Sequence, residues 1–179
     1  MPDAPQLARA ALKLAYPLLA IVGTVIITRR RKVDLRTGLG LTPPPIGATL
    51  AWLAAYAVLV FGSDAIMHWR GPFDWTAWRG APMLVNICRV LGVAIFGPIA
   101  EELIFRGALY ERMLRARLDP RLVIAILAAG WAVLHYSYAG GVIALIFVGG
   151  LLLGAARRQT GSVVPPILMH MLWNLWAIW

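Results

Sequence analysis

The sequence predicts an all-α, polytopic membrane bundle of about six transmembrane helices, with no soluble domain left over. Three observations carry that expectation. Hydrophobic residues make up 60% of the chain and charged residues only 14%, far from the balance of an ordinary soluble domain. Several stretches approach or exceed the ~18 apolar residues that read as membrane spans. The basic residues, which give a formal charge of +9, gather in alternate segments between those stretches. That placement fits membrane orientation and argues against a nucleic-acid partner. Residues 1–179 are read as a single integral-membrane domain, with two spans and an aromatic loop in 1–82 and three polar motifs in 83–179.

The expected spans are roughly 8–28, 47–66, 83–107, 121–138, 140–156 and 162–179. The apolar run from Ala15 to Thr28 is followed by Arg29-Arg30-Arg31-Lys32, a stop-transfer pattern without a small-residue cleavage site. The first span is therefore read as a helix rather than a signal peptide. Arg29 to Ile46 contains Pro43-Pro44-Pro45 and forms a loop. Ser63 to Pro82 carries His68, Trp69, Phe73, Trp75 and Trp78, a composition suited to the membrane–water interface. Ala108 to Pro120, with Arg112, Arg115 and Arg117, continues the third helix at the membrane surface. Tyr136 to Gly141 is a short uncharged connection, and Arg157 to Gly161 is the last one. Gly149, Gly150 and Gly154 let helix backbones approach closely. Cys88 stands alone, so no disulfide framework and no cysteine metal cluster is expected. Loops one, three and five hold eleven Lys and Arg residues against four in the other outer segments, which puts the odd loops in the cytoplasm and both termini outside.

One stretch organises the chain: Gly97-Pro98-Ile99-Ala100-Glu101-Glu102-Leu103-Ile104-Phe105-Arg106-Gly107. Glu101 and Glu102 are read as the acidic residues placed inside a hydrophobic segment, where ionisable groups usually mark function. On a helix Glu102 and Arg106 stand at i and i+4 and can pair, while Glu101 points elsewhere, unpaired and available. Pro98 is expected to kink the helix and free a carbonyl near the site. The other polar residues within the spans are Asn86, Arg89, His135, His170 and Asn174. His170 and Asn174, again at i and i+4, share a face. Taken singly, each histidine is accounted for by an interhelical hydrogen bond and Asn174 by helix packing. Arg89 is assigned to structure, paired with a carboxylate or a helix end. Trp131, Trp173, Trp176 and Trp179 are read as packing and interface anchors. Polar groups on three helices of one bundle turn inward toward one another, and together they describe a site.

Glu101-Glu102-x-x-x-Arg106-Gly107, then Trp131-x-x-x-His135, then His170-x-x-x-Asn174 resembles the CAAX protease and bacteriocin-processing (Abi) family of intramembrane proteases, the group that includes the Ras-converting enzyme. The resemblance covers about residues 83–179 and makes that part the catalytic core. Trp131 stands where phenylalanine is commoner, and the two N-terminal spans carry no motif.

The resemblance implies an endopeptidase acting on a membrane-associated peptide or protein, near its C-terminus in the best-known relatives. Glu101 would be the general base that takes a proton from water. His135 would position that water or donate to the oxyanion, and His170 with Asn174 would hold the substrate carbonyl. Glu102 and Arg106 would support the helix and orient Glu101. No cofactor is required by this scheme; zinc held by Glu101, His135 and His170 is the competing route, although no His-Glu-x-x-His helix is present. A non-catalytic scaffold or immunity protein of the same fold is the alternative of a different class, and a proton-coupled transporter a third. The size and charge bias suggest a prokaryotic plasma membrane. One tension lies in depth. At ~1.5 Å per residue, Glu101 lies ~10 Å from the cytoplasmic end of its span, His170 ~12 Å and His135 ~21 Å. Level placement then needs tilt, a fourth span that begins below Arg121, or fourth-span boundaries shifted by about two turns.

Overall fold

The computed structural model describes residues 4–72 and 74–178, and within them every regular element is a helix. Phe73 and Trp179, expected as interfacial aromatics, lie outside the described residues. The elements are α1 (Ala4–Arg30), a short α2 (Leu35–Gly38), α3 (Ile46–Met67), a short α4 (Thr76–Arg79), α5 (Met83–Arg115), α6 (Pro120–Val133), α7 (Gly140–Thr160) and α8 (Val164–Ala177). Helices α1, α3, α5 and α7 are each long and apolar enough to cross a membrane. Helices α6 and α8 have 14 residues each. At ~1.5 Å per residue they fall short of a ~30 Å hydrocarbon layer. The chain is an all-α membrane bundle, with four helices long enough to span and two of 14 residues where about six spans were expected.

Local chemistry explains the helix ends. Asp119 caps α6 by accepting from the backbone N–H groups of Arg121 (2.8 Å) and Leu122 (3.3 Å), and Pro120 occupies the first turn, where no donor is needed. Helix α7 stops at Gly161, whose φ of +67° supplies the left-handed residue that closes a helix. The expected fifth loop, Arg157 to Gly161, is thus the last turn of α7. Helix α6 ends at Val133, five residues before the expected boundary, so His135 stands in the turn beyond it.

Helix α5 carries the largest departure from ideal geometry. Its hydrogen bonding widens to π-helical in Val90–Phe96 and again in Leu103–Leu109, with an α-helical piece, Gly97–Glu102, between them. Pro98 has no N–H to give, and the N–H of Gly97 reaches back to the carbonyl of Gly92. The helix absorbs its proline by widening, and the two glutamates fall on the regular piece between the widened ones.

The main core gathers Tyr56 and Val60 from α3, Trp131 and Ala132 from α6, Leu153 from α7, and Met169 and Trp173 from α8. Helices α6 and α7 form a close antiparallel pair. At Gly150 a Cβ would stand 3.0 Å from the Ala128 Cβ and 3.2 Å from a terminal nitrogen of Arg106, so a side chain there would force its neighbours to shift. The start of α8 is also buried: Val163, Pro165 and Pro166 have almost no exposed surface. Its backbone is satisfied by the loop after α2, with Val163 N–H donating to Gly40 O (2.8 Å) and the Ser162 hydroxyl to Thr42 O (2.6 Å). That interlock starts α8 inside the bundle.

Gly150→Val is expected to overpack the α6–α7 contact and destabilise the fold by ~1–3 kcal/mol. The check is the thermal midpoint of purified protein in detergent; a midpoint equal to wild type would show that the contact is loose.

Candidate active site

Glu102 lies at 0% exposure, behind the site rather than on it. One of its oxygens, Oε1, accepts from Arg106 Nη1 and from His170 Nδ1, both at 3.0 Å. Arg106 is 1% exposed, donates its other terminal nitrogen to Gly150 O at 3.1 Å, and lies over the Trp131 ring at 4.9 Å. Three helices are joined through one buried carboxylate, and the expected i, i+4 pair is its centre. Glu102 Oε2 and the Tyr56 hydroxyl, both buried, have no hydrogen-bond partner among the described residues.

Glu101 points away from that cluster, as its position on the helix requires. It is half-buried, and it is not unpaired: the Trp131 indole N–H donates to its Oε2 at 2.6 Å. No other donor reaches it among the described residues. Trp131 was read as a packing anchor. It is buried, contacts the rings of His135 (centroids 5.2 Å apart) and His170 (5.1 Å) edge-on, and holds Glu101. Composition gave no sign of this; the spacing Trp131-x-x-x-His135, one turn apart on a face, was the available signal.

The two histidines are oriented alike. His135 Nδ1 is 2.9 Å from the Trp131 carbonyl, which can only accept, so Nδ1 carries the hydrogen. His170 Nδ1 faces the Glu102 carboxylate and donates likewise. Each ring therefore keeps Nε2 for other work. Asn174 gives one amide N–H to Val93 O at 2.8 Å. That carbonyl lies in the first π-helical stretch of α5, so the freed carbonyl expected near Pro98 exists and Asn174 takes it. The second π-helical stretch is treated the same way: Arg157 Nε donates to Arg106 O at 2.9 Å, while its Nη2 meets Glu111 at 2.7 Å.

Glu101, His135, His170 and Asn174 all line one open cavity of about 500 Å³. Lys13 and Tyr16 of α1 and Tyr138 of the α6–α7 turn also line it; sequence reasoning placed none of these three at the site. The depth tension disappears because the third span is longer than expected. Counted from Arg115, Glu101 stands ~21 Å along α5, and His135 stands ~22 Å beyond Pro120. His170 reaches the same level because α8 begins inside the bundle. As they stand, no three His, Cys, Asp or Glu side chains among the described residues are grouped to hold a metal ion.

Other expected polar residues lie elsewhere. Arg89 stacks over the Trp78 ring at 4.7 Å rather than pairing with a glutamate. Asn86 donates to Trp78 O at 2.9 Å, and His68 caps α3 with a φ of 49°. Asp64 was assigned to a loop but is the buried end of α3; it accepts from the backbone N–H of Arg70 (3.0 Å), from Arg70 Nε (3.3 Å) and from Trp176 Nε1 (3.0 Å), tying α8 to α3.

A family model described as type II CAAX prenyl endopeptidase, Rce1-like, matches residues 83–176, just over half of the chain. The chain belongs to this family. No curated protein and no solved structure matches it. The matched region runs from the start of α5 into α8 and holds every residue of the cavity's polar wall except those from α1. Family membership and the apolar helices make the chain an integral-membrane protease acting on membrane-associated substrates.

Removing one partner from the buried cluster leaves an uncompensated charge. Arg106→Met should cost ~3–5 kcal/mol, whereas Glu102→Gln combined with Arg106→Met should cost less than the sum of the two single changes. Thermal or denaturant midpoints of the four proteins in detergent measure this; additive losses would show that the groups act independently.

Proposed function

We propose that this chain hydrolyses a peptide bond near the C-terminus of a membrane-associated protein or peptide, with water activated by Glu101 and no metal. The observation that supports it is the shared cavity, into which a carboxylate and two Nε2-presenting imidazoles open. Water bound there gives one hydrogen to Glu101 and the other to Nε2 of His135, leaving its oxygen lone pair for the substrate carbonyl carbon. As the C–O bond forms, Glu101 takes the proton and the carbonyl oxygen becomes an oxyanion. The second amide N–H of Asn174, and His170 when Nε2 carries a proton, donate to that oxyanion. The C–N bond then breaks, and Glu101 returns its proton to the leaving amine. Glu102 and Arg106 touch no substrate in this scheme. They position His170 and α5, and Trp131 positions Glu101. In this reading the odd loops face the cytoplasm of a prokaryotic plasma membrane, with both termini outside.

Glu101→Gln should lower cleavage by about 10²–10⁴-fold without changing protein level in the membrane. Mass spectrometry of peptide ends from membranes expressing either protein reads this out. A stable, active Glu101→Gln protein would remove Glu101 as base. Identical peptide ends with and without the wild-type protein would favour a non-catalytic scaffold. Trp131→Phe keeps the ring but loses the N–H, and should reduce turnover about tenfold to hundredfold by letting Glu101 drift. Activity should also survive stringent chelation; loss on chelation with recovery on adding zinc would reassign Glu101, His135 and His170 as ligands.

A further inference from the structure

A second concavity lies on the outside of the bundle, in the seam between α1 and α5, and encloses about 420 Å³. Ile27 of α1 and Ile104 and Leu109 of α5 line its apolar part; Arg31, Arg112 and Arg115 line it where these helices end. Ile104 also lines the cavity that holds Glu101, so the two spaces are neighbours along one seam. The proposed cleavage chemistry uses neither the groove nor its arginines.

The charges around this groove do not cancel. Glu111 is the acidic residue lining it, and its Oε1 is held by Arg157 at 2.7 Å. None of the three groove arginines has a carboxylate partner among the described residues. The groove's apolar side chains face outward as well: Ile27 and Leu109 are exposed, as are Leu19, Val22 and Ile26 along α1. In a membrane protein such a face meets hydrocarbon, so an occupant enters sideways from the bilayer. Its apolar part would lie against Ile27, Ile104 and Leu109, and its negative part beside arginines at the helix ends, where headgroups stand.

We infer that the α1–α5 groove is a binding site for an anionic phospholipid, with its phosphate on Arg31, Arg112 and Arg115 and an acyl chain along the seam toward Ile104. A guanidinium matches phosphate oxygens in a fixed fork, which favours this headgroup. The lipid then forms part of the wall next to the cavity containing Glu101.

The test is native mass spectrometry of the purified full chain in uncharged detergent, titrated with phosphatidylglycerol, phosphatidylcholine and glycerol 3-phosphate. Phosphatidylglycerol should be retained in preference to both others. Arg112→Gln with Arg115→Gln should weaken its retention roughly twenty-five-fold, at about fivefold per arginine. Ala108→Trp fills the groove with its arginines intact and should weaken retention as well. Arg29→Gln with Arg30→Gln removes the same charge outside the groove and should leave retention unchanged. Equal retention of the two lipids, or retention unaffected by filling the groove, would overturn the inference. Binding of glycerol 3-phosphate as tightly as the lipid would make this a phosphate site without a chain subsite. Displacement of phosphatidylglycerol by a peptide with a free C-terminal carboxylate, but not by excess lipid, would make it a substrate subsite instead. A lipid result of either sign leaves the Glu101→Gln cleavage assay independent.

Discussion

The buried carboxylate of Glu102 is the interaction on which the rest of this protein depends. It is fully buried, with an arginine from its own helix and a histidine from α8 on the same oxygen. Arg106 carries the link onward to the Gly150 carbonyl of α7. In a low-dielectric interior these groups are costly to desolvate and costly to separate, so the arrangement tolerates few alternatives. It fixes the rotation of α5, and that rotation decides where Glu101 points. A residue that never meets the cavity thereby sets the geometry of one that does.

The irregular hydrogen bonding of α5 is the second constraint. A widened helical turn leaves carbonyls short of partners, and none can be left bare in hydrocarbon. The chain meets this with side chains from neighbouring helices, Asn174 on Val93 O and Arg157 on Arg106 O. Both donors therefore lock α7 and α8 to the widened segments that flank the glutamates. These polar residues of the last two helices thus serve the backbone of α5. Arg157 shows how far this goes: counted as a loop charge in the sequence, it is buried and bridges Arg106 and Glu111.

Two helix ends differ from expectation, and the first of them brings Glu101 level with His135. The third span runs on to Arg115, and the fourth helix stops at Val133 with its histidine in the following turn. Hydropathy alone could not place either end. The arginines after Gly107 lower hydropathy without breaking the helix, and the short segment after Val133 carries no Lys, Arg, Asp or Glu to mark that the helix has ended. Trp131 was legible as an aromatic one turn from His135, but its N–H became a site group only through its neighbour on another helix.

The sequence by itself determined the all-α membrane class, because apolar content and the spacing of basic residues depend on composition alone. It also determined which residues stand out: two carboxylates, two histidines and an asparagine in apolar surroundings carry a cost wherever the helices lie. The Glu102–Arg106 pair followed from helical periodicity, a local property. Only the tertiary structure decided the widened turns of α5, the buried start of α8, the partner of Glu101 and the free nitrogen of each histidine. Those features arise from contacts between segments far apart in the chain, where one helix supplies the hydrogen bond that another has lost.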